Sequence, residues 1–136
     1  MGLFSGARPG DLGAPAGKLT ACKPTPNCVG SQADEKDAEH YIAPIAFSGD
    51  PAKAWDTLKR AVRGMQRVSV VRDEPGYLYA EFTSRWMGFV DDGEFVLDPA
   101  GLIHVRSASR LGSGDFGVNR ARIETLRARF AELSRS

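Results

Sequence analysis

The sequence lacks long apolar runs, and this absence excludes several classes of protein. No window of its 136 residues approaches the roughly 20 apolar residues that a membrane-spanning helix needs. The first residues have neither the basic start nor the apolar core of a secretory signal, and Gly6 stands where a myristoylation motif has Ser or Thr. We therefore expect a soluble, cytoplasmic protein without an integral membrane segment.

An excess of charge of either sign is also missing. The formal net charge is +1, so the chain has no bulk field that would attract nucleic acid or anionic lipid. On the strands predicted to carry polar residues, the aromatics that could stack on bases are Tyr77 and Tyr79, and acids surround them. Nucleic acid is therefore not an expected partner, and any binding site must be local.

Cysteine and histidine are scarce. Cys22 and Cys28 do not have the CxxC spacing of redox and zinc motifs, and without a nearby histidine a zinc site would be two ligands short. We therefore expect no metal and no cofactor. Three interpretations of the pair stay open: free structural thiols, metal or redox chemistry, or a disulfide that closes a short loop and favours a periplasmic or envelope-associated location as the alternative.

The first third of the chain carries few signals of regular structure. Residues 1–20 are rich in Gly, Pro and Ala, which predicts a flexible N-terminal arm followed by a single domain over residues 21–136. Two prolines hold their predecessors extended, so residues 22–33 are predicted to form a loop. The charged run at 34–40 is predicted to be solvated, with His40 exposed.

Two segments have the three- and four-residue spacing of apolar residues that predicts an amphipathic helix. The first begins with Asp50 as its cap and Pro51 at the first helical position, and it ends near Gly64. The second lies at the end of the sequence, with Asp115 or Asn119 as its cap. Its apolar positions are Val118, Ile123, Leu126, Phe130 and Leu133.

Strands are predicted at 41–47, 67–72 and Tyr77–Thr83, and in a hairpin that turns at 98–101. Pro44 cannot donate to a ladder, so the first strand should lie at a sheet edge or contain a break. The turn fixes the hairpin register, in which Glu94 faces Arg106 and Asp91 faces Ser109 on the core side. The apolar pairs of this register are Leu97 with Ile103 and Phe95 with Val105.

This order of elements predicts an α+β domain of two layers. A mostly antiparallel sheet of four to five strands should carry two amphipathic helices packed on one face. The opposite side of the sheet is expected to face water, because two helices cover only one side. Its polar residues are Tyr77, Tyr79, Glu81, Asp92, Glu94, His104, Arg106 and Arg110.

The acids and arginines of the hairpin are the strongest candidates for a binding site. A guanidinium holds a carboxylate or phosphate through two hydrogen bonds, so we expect a small anionic molecule or a lipid as the ligand. An alternative hypothesis makes the same residues a buried stabilising network in a structural or protein-interaction domain. The predicted ligand-binding residues are Arg85, Asp91, Asp92, Glu94, Arg106, Ser107, Ser109, Arg110 and Asn119.

Catalytic motifs are not found in the sequence. Ser107 and Ser109 have no adjacent general base. Strand alternation sends Asp91 to one face and Asp92 with Glu94 to the other, so the acids do not converge. We therefore predict no catalytic residues and favour a non-enzymatic role, with an acid-dependent hydrolase as the third hypothesis.

Four phrases are specific in combination: CKPTPNCVGSQ, YIAPIAF, SRWMGFVDDGEFVLD and GLIHVRSASRLGSGDFGVNRARIETLR. They resemble the domain of unknown function 1499 family of bacteria and plant plastids, over about Leu19 to Leu133. The resemblance implies a compact domain without an established activity. Because many relatives look exported or lipid-anchored, it also implies a Cys22–Cys28 disulfide, although this chain lacks their export signal. The matching positions are Cys22, Pro26, Asn27, Cys28, Ser84, Arg85, Phe89, Asp91, Asp92, Glu94, Arg106, Ser107, Ser109, Arg110, Gly117, Asn119 and Arg122.

Overall fold

Six strands and two helices make up most of the described part of the chain. The computed structural model describes residues 6–85, 88–112 and 114–135. The strands are β1 (Cys28–Gly30), β2 (Ile45–Ala46), β3 (Val68–Glu74), β4 (Tyr77–Thr83), β5 (Val90–Asp98) and β6 (Leu102–Ser109). The helices are α1 (Pro51–Arg63) and α2 (Val118–Ser134), and a short 3-10 turn spans Pro15–Gly17.

The strands pair as antiparallel ladders in the order β1-β6-β5-β4-β3, and β2 also pairs with β6. The predicted hairpin register is confirmed, with Glu94 opposite Arg106 and Asp91 opposite Ser109. The turn sets it, because Gly101 adopts a φ of 123° that favours glycine. The predicted α+β class with a mostly antiparallel sheet is therefore confirmed.

The described sheet has six strands, whereas the sequence pattern predicts four to five. The extra strand is β1, which lies within the predicted loop at 22–33 and is too short to show an alternating pattern. β2 keeps only two residues of the predicted strand at 41–47. Pro44 has no N–H for a ladder, and its carbonyl accepts a hydrogen bond from Arg127 Nη1 at 2.8 Å instead.

Helix α1 begins and ends where the sequence predicts. The Asp50 carboxylate accepts a hydrogen bond from the Ala52 N–H at 3.1 Å, Pro51 opens the helix, and Gly64 follows its last residue. None of the helices within the described ranges has the length and apolar character of a membrane span. Both helices contribute to one core on one face of the sheet, whose fully buried members include Leu58, Val62, Leu78, Phe95, Ile103, Val105, Ile123 and Leu126.

Helix α2 departs from the prediction in its first turn. Val118 is 47% exposed, so its placement on the core face is wrong. The inward position belongs to Asn119, which is fully buried and accepts a hydrogen bond from Ser107 Oγ at 2.6 Å. A polar side chain with buried partners thus takes the place that the apolar periodicity assigns to valine.

The polar face of the sheet is covered, so the prediction that it faces water is wrong. Residues 6–19, here termed the covering segment, lie across it, and Glu94 and Tyr79 are 0% exposed. Apolar contacts hold the segment there, with Leu12, Ala14 and Leu19 packed against Tyr77, Tyr79 and Val96. Flexibility of residues 1–20 relative to a domain at 21–136 stays a prediction, and residues 1–5 lie outside the described residues.

Candidate functional site

The nine predicted site residues lie on two opposite faces of the sheet and in one loop. Alternation along β5 and β6 places Asp91, Ser107 and Ser109 on the helix side, together with Asn119. Asp92, Glu94, Arg106 and Arg110 lie on the side of the covering segment. Arg85 is exposed in the loop after β4. The structure therefore contains two separate polar networks rather than one hairpin site.

Asn119 is the centre of the network on the helix side. Its Oδ1 accepts hydrogen bonds from Ser107 Oγ at 2.6 Å and Arg122 Nη1 at 2.9 Å. Its Nδ2 donates to Ser109 Oγ at 2.9 Å and to Asp115 Oδ2 at 2.7 Å. Both ends of the amide are therefore satisfied, and the contacts fasten the start of α2 to β6.

Arg122 extends this network to β5. Its Nη2 lies 2.9 Å from Asp91 Oδ2, and its guanidinium stacks 4.7 Å from the centre of the Phe82 ring. Sequence reasoning did not place Arg122 among the binding residues. Its position one turn after Asn119 on the same helix is the signal that could have found it.

Asp115 accepts hydrogen bonds from backbone N–H groups at the start of α2. Its carboxylate accepts hydrogen bonds from the backbone N–H groups of Gly117 at 2.8 Å and Asn119 at 3.0 Å. Burial alone would raise the pKa of this carboxyl, but the hydrogen bonds from the Asn119 side chain and from these N–H groups lower it below the ordinary value. Of the two predicted caps, Asp115 is thus the one that satisfies backbone donors at the start of the helix.

Arg110 is the centre of the network on the other face. Its Nε and Nη2 bind the two oxygens of Asp92, both at 2.9 Å, and Nη2 also lies 2.5 Å from Glu81 Oε2. The Tyr79 hydroxyl donates to Asp92 Oδ1 at 2.5 Å. Arg8 of the covering segment donates to Glu81 Oε2 at 2.7 Å. Every charge named here has an opposite partner, as buried charges require.

Ionisation of this network is set by burial and by the arginines. Burial alone would raise the pKa of Glu81, but hydrogen bonds from Arg8, Tyr79 and Arg110 outweigh it and hold the pKa at about 2. Burial, followed by the hydrogen bond to Asp92, raises the pKa of Tyr79 well above its ordinary value. The phenol therefore stays protonated and remains a donor at neutral pH.

Glu94 links the covering segment to the sheet. The fully buried carboxylate accepts hydrogen bonds through Oε2 from the Tyr77 hydroxyl and from the Gly13 N–H, the latter at 2.8 Å. Burial and this carboxylate raise the pKa of Tyr77, so the phenol remains a donor. The other oxygen, Oε1, has no hydrogen-bond partner among the described residues.

Arg106 is the least satisfied charge on this face. Its side chain is 10% exposed, and its Nη1 lies 3.8 Å from Glu94 Oε1, which is beyond hydrogen-bonding distance. Its Nε has no partner in the described part of the chain. Buried polar atoms are rarely left in this state, so each needs an explanation.

A cavity of about 310 Å³ lies beside Arg106. Its lining includes residues 19–22, residues 32–34, Asp37 and His40. Gly30 pairs with Arg106 in the β1–β6 register and also lines the cavity. A methyl group at Gly30 would lie 4.0 Å from Cys22 Sγ, so the missing side chain leaves this space open.

Cys22 and Cys28 are joined by a disulfide in the structure, with their sulfur atoms 2.06 Å apart. The bond connects the chain that follows the covering segment to β1, and Cys22 also lines the cavity. Among the residues that the structure describes, no group of three or more His, Cys, Asp or Glu side chains is arranged to hold a metal ion. The cysteines therefore contribute a covalent constraint next to Arg106.

One serine and histidine pair resembles part of a nucleophile site. Ser31 Oγ lies 3.0 Å from His104 Nδ1, but it also accepts a hydrogen bond from the Val105 N–H at 2.9 Å and is buried. His104 Nε2 is 4.0 Å from Asp98 Oδ2, too far for a hydrogen bond. The contacts of Ser31 therefore join β6 to the loop after β1 and do not present an accessible nucleophile.

His40 is buried, so the prediction that it is exposed is wrong. Its Nδ1 lies 2.7 Å from Asp37 Oδ2 and its Nε2 lies 2.9 Å from the Thr25 carbonyl oxygen. Two acceptors around one ring favour the imidazolium, and the hydrogen bond to Asp37, followed by that to Thr25, raises the pKa of His40. The sequence could not show that His40 is buried, because it lies in a charged run and contacts Asp37 and Thr25 only in the folded chain.

The raised pKa predicts a pH dependence of stability. The contribution of His40 is fully present below the unfolded histidine pKa of about 6.5 and is lost as pH rises through the raised folded value. We expect the free energy of unfolding, measured by urea titration, to fall across this window. His40→Gln should flatten that decline, whereas a decline of unchanged size in the variant would contradict the assignment.

Comparison with known proteins matches most of the folded chain to a family. The sequence model described as "Protein of unknown function (DUF1499)" matches residues 18–130. No curated protein and no solved structure matches the chain. The matched range contains the helix-side network, Arg106 and its cavity, whereas Arg8 and Gly13 of the covering segment lie before it. Because the match covers well over half of the sequence, the chain belongs to the DUF1499 family of proteins of unknown function.

Proposed function

We propose that this protein is a non-catalytic binding domain that holds a small anionic ligand at Arg106. The observation that supports the proposal is the buried guanidinium beside the cavity of about 310 Å³, with an Nε that has no partner among the described residues. Leaving a buried donor unpaired costs about 1–3 kcal/mol, and more for a charged group. A carboxylate or phosphate oxygen in the cavity would supply the acceptor and a compensating charge.

The hydrogen bonds of Arg110 and Arg106 differ, and this difference indicates which of the two arginines contacts the proposed ligand. Arg110 binds both oxygens of Asp92 and one oxygen of Glu81, so its charge is compensated within the chain. Arg106 faces a single carboxylate at 3.8 Å, and the nearest oxygen of that carboxylate is itself unpaired in the described structure. Asp92 and Arg110 then act as support that fixes the sheet beneath the site, and Arg106 is the group that contacts the ligand.

The cavity suits a small molecule. Its volume lies at the lower end of the range of about 300–1,000 Å³ that ligand pockets occupy. The apolar residues Leu19, Ala21 and Ala33 line it together with the polar groups. Such a mixture of an apolar wall and a few polar anchors is typical of small-molecule sites, and a lipid headgroup would use the same arginine contact.

A thermal-shift experiment tests the proposal. The full chain should gain melting temperature with an anion from a panel of inorganic phosphate, short carboxylates, free amino acids and anionic lipid headgroups. A ligand at a hundred times its Kd adds about 2.7 kcal/mol to the free energy of unfolding. Arg106→Gln should abolish the shift, and Arg63→Gln, which changes an exposed arginine on α1, should retain it. A flat panel, or a shift retained in Arg106→Gln, would overturn the proposal.

A structural or protein-interaction domain is the second candidate. The closure of the two networks around Asn119 and Arg110 favours it, because these groups find their partners inside the chain. Under this hypothesis Arg106 would be satisfied by ordered water, and no anion would stabilise the protein. An acid-dependent hydrolase, the third hypothesis, gains no support, because Asp91 and Asp92 bind arginines on opposite faces of the sheet.

A further inference from the structure

The cavity beside Arg106 also has acidic walls. Asp34 and Asp37 line it, and Asp37 is paired with His40, whose ring also lines the cavity. Asp34 is therefore the lining carboxylate whose charge an anion bound to Arg106 would meet. Glu94 Oε1 lies 3.8 Å from Arg106 Nη1. A multiply charged anion would therefore be opposed by the Asp34 and Glu94 carboxylates, which disfavours binding. A ligand that carries its own positive charge would not meet this opposition.

We propose that the cavity selects a small zwitterion, such as a free α-amino acid, with its carboxylate on Arg106 and its ammonium group on Asp34. This inference rests on the proposed function and names the ligand class of the same site. Arg106 is the buried end of the site and suits the carboxylate, since a planar guanidinium offers two parallel donors. Asp34 is exposed, so the ammonium group would keep part of its hydration there.

The hydrogen bonds of the other polar side chains favour Asp34 as the acidic partner. Asp37 is occupied by His40, whose ring nitrogen and backbone N–H lie 2.7 Å and 3.3 Å from its two oxygens. Gln32 is occupied by the covering segment, because its amide binds the Leu19 N–H and the Gly17 carbonyl, both at 2.8 Å. Asp34 uses Oδ1 to accept the Lys36 N–H at 3.0 Å, and its Oδ2 is not engaged in that contact.

The remaining lining suits an aliphatic body between the two charges. Leu19, Ala21 and Ala33 are apolar residues of the cavity lining. A branched aliphatic side chain of the ligand would bury against them at about 25 cal/mol per Å² of apolar surface. Leucine is therefore a suitable probe, and its size matches a cavity of about 310 Å³.

Calorimetric titration of the full chain with matched probes tests the inference. The probes are leucine, 4-methylpentanoate without the ammonium group, 3-methylbutylamine without the carboxylate, and inorganic phosphate. Leucine should bind about fivefold or more tightly than each of the other three, because both charged ends are needed. Arg106→Gln should weaken leucine and 4-methylpentanoate by more than about tenfold. Asp34→Asn should weaken leucine by about fivefold and leave 4-methylpentanoate unchanged or tighter.

The outcomes separate the two proposals. If 4-methylpentanoate or phosphate binds as tightly as leucine and Arg106→Gln abolishes this, the zwitterion inference is overturned and the anion site stands. If none of the probes binds, or if Arg106→Gln binds them like the unmodified chain, both proposals are overturned. Glu35→Gln is the matched control for Asp34→Asn, because Glu35 is an exposed acid next to it that does not line the cavity. The comparison of probes on the unmodified chain holds even where a variant fails to fold.

Discussion

Replacing Arg110 with methionine is expected to lower the free energy of unfolding by about 3–5 kcal/mol, the cost of breaking a buried ion pair. The arginine side chain is 7% exposed, and it donates two hydrogen bonds to Asp92 and one to Glu81. Without it, the Asp92 carboxylate keeps only the Tyr79 hydroxyl among the donors described above. A buried carboxylate with so few donors destabilises the folded state, because its desolvation is no longer offset.

Urea unfolding of the full chain, followed by circular dichroism, measures this effect. Arg63→Met is the matched control, since Arg63 also pairs with an aspartate, Asp73, at 3.0 Å but is 50% exposed. An exposed pair of this kind contributes about 0–1 kcal/mol, so the control should change little. Equal losses in the two variants would mean that the Arg110 network is not the buried, stabilising arrangement described above.

The second large effect is expected from Asn119→Asp, which keeps the shape of the side chain and changes its hydrogen bonding. The amide Nδ2 lies 2.7 Å from Asp115 Oδ2 and 2.9 Å from Ser109 Oγ. In the variant an oxygen replaces this donor, and two carboxylates meet at that distance inside the protein. We expect a loss of about 3 kcal/mol in the free energy of unfolding, since the fully buried side chain at position 119 would lose its donor and become a second carboxylate beside Asp115.

A double variant provides the control for this position. Asp115→Asn combined with Asn119→Asp exchanges the amide and the carboxylate, so that position 115 supplies the donor. The pair should recover part of the lost stability, and the coupling between the two sites is read from the double-mutant cycle. Full stability in Asn119→Asp alone, or no recovery in the double variant, would contradict the proposed role of the amide.

The sequence was sufficient to predict the elements whose signals are local. The turn at 98–101 predicts the hairpin register, which in turn predicts the pairing of Glu94 with Arg106. The cap at Asp50 and the glycine at position 64 predict the ends of α1. Each of these depends on residues close together in the chain, so pattern reasoning suffices.

The covering segment could not be predicted in this way. Its contacts to the sheet include the Gly13 N–H on Glu94 and the Gly6 carbonyl on Arg110 Nη1, which join residues 81 and 104 positions apart. Backbone groups of glycine leave no side-chain pattern in the sequence. The water-facing polar side was therefore expected from the helix count alone, and the covering layer was missed.

Of the nine predicted site residues, only Arg106 lines the cavity of the proposed site, and the arrangement of the others was not predicted. Strand alternation already separates Asp91 from Asp92. Their ion pairs with Arg122 and Arg110 lie on separate faces of the sheet, and these pairs can be predicted only when the positions of α2 and the covering segment are known. The Nε of Arg106 stays unpaired because none of its neighbours among the described residues supplies an acceptor for it. A sequence shows which groups are present, and only the fold shows which of them stay unpaired.

The residue at position 30 affects the size of the cavity beside Arg106, because glycine leaves room there for a side chain. A methyl group at this position would meet the Val105 carbonyl oxygen at 3.8 Å and Cys22 Sγ at 4.0 Å, which are ordinary contacts, and the backbone there does not require glycine. Alanine would therefore fit without strain and take up space in the cavity that Arg106 also lines. Under the proposed function, a Gly30→Ala variant would accept only shorter ligands while keeping the same arginine, so one residue in β1 would set the size limit of the proposed site.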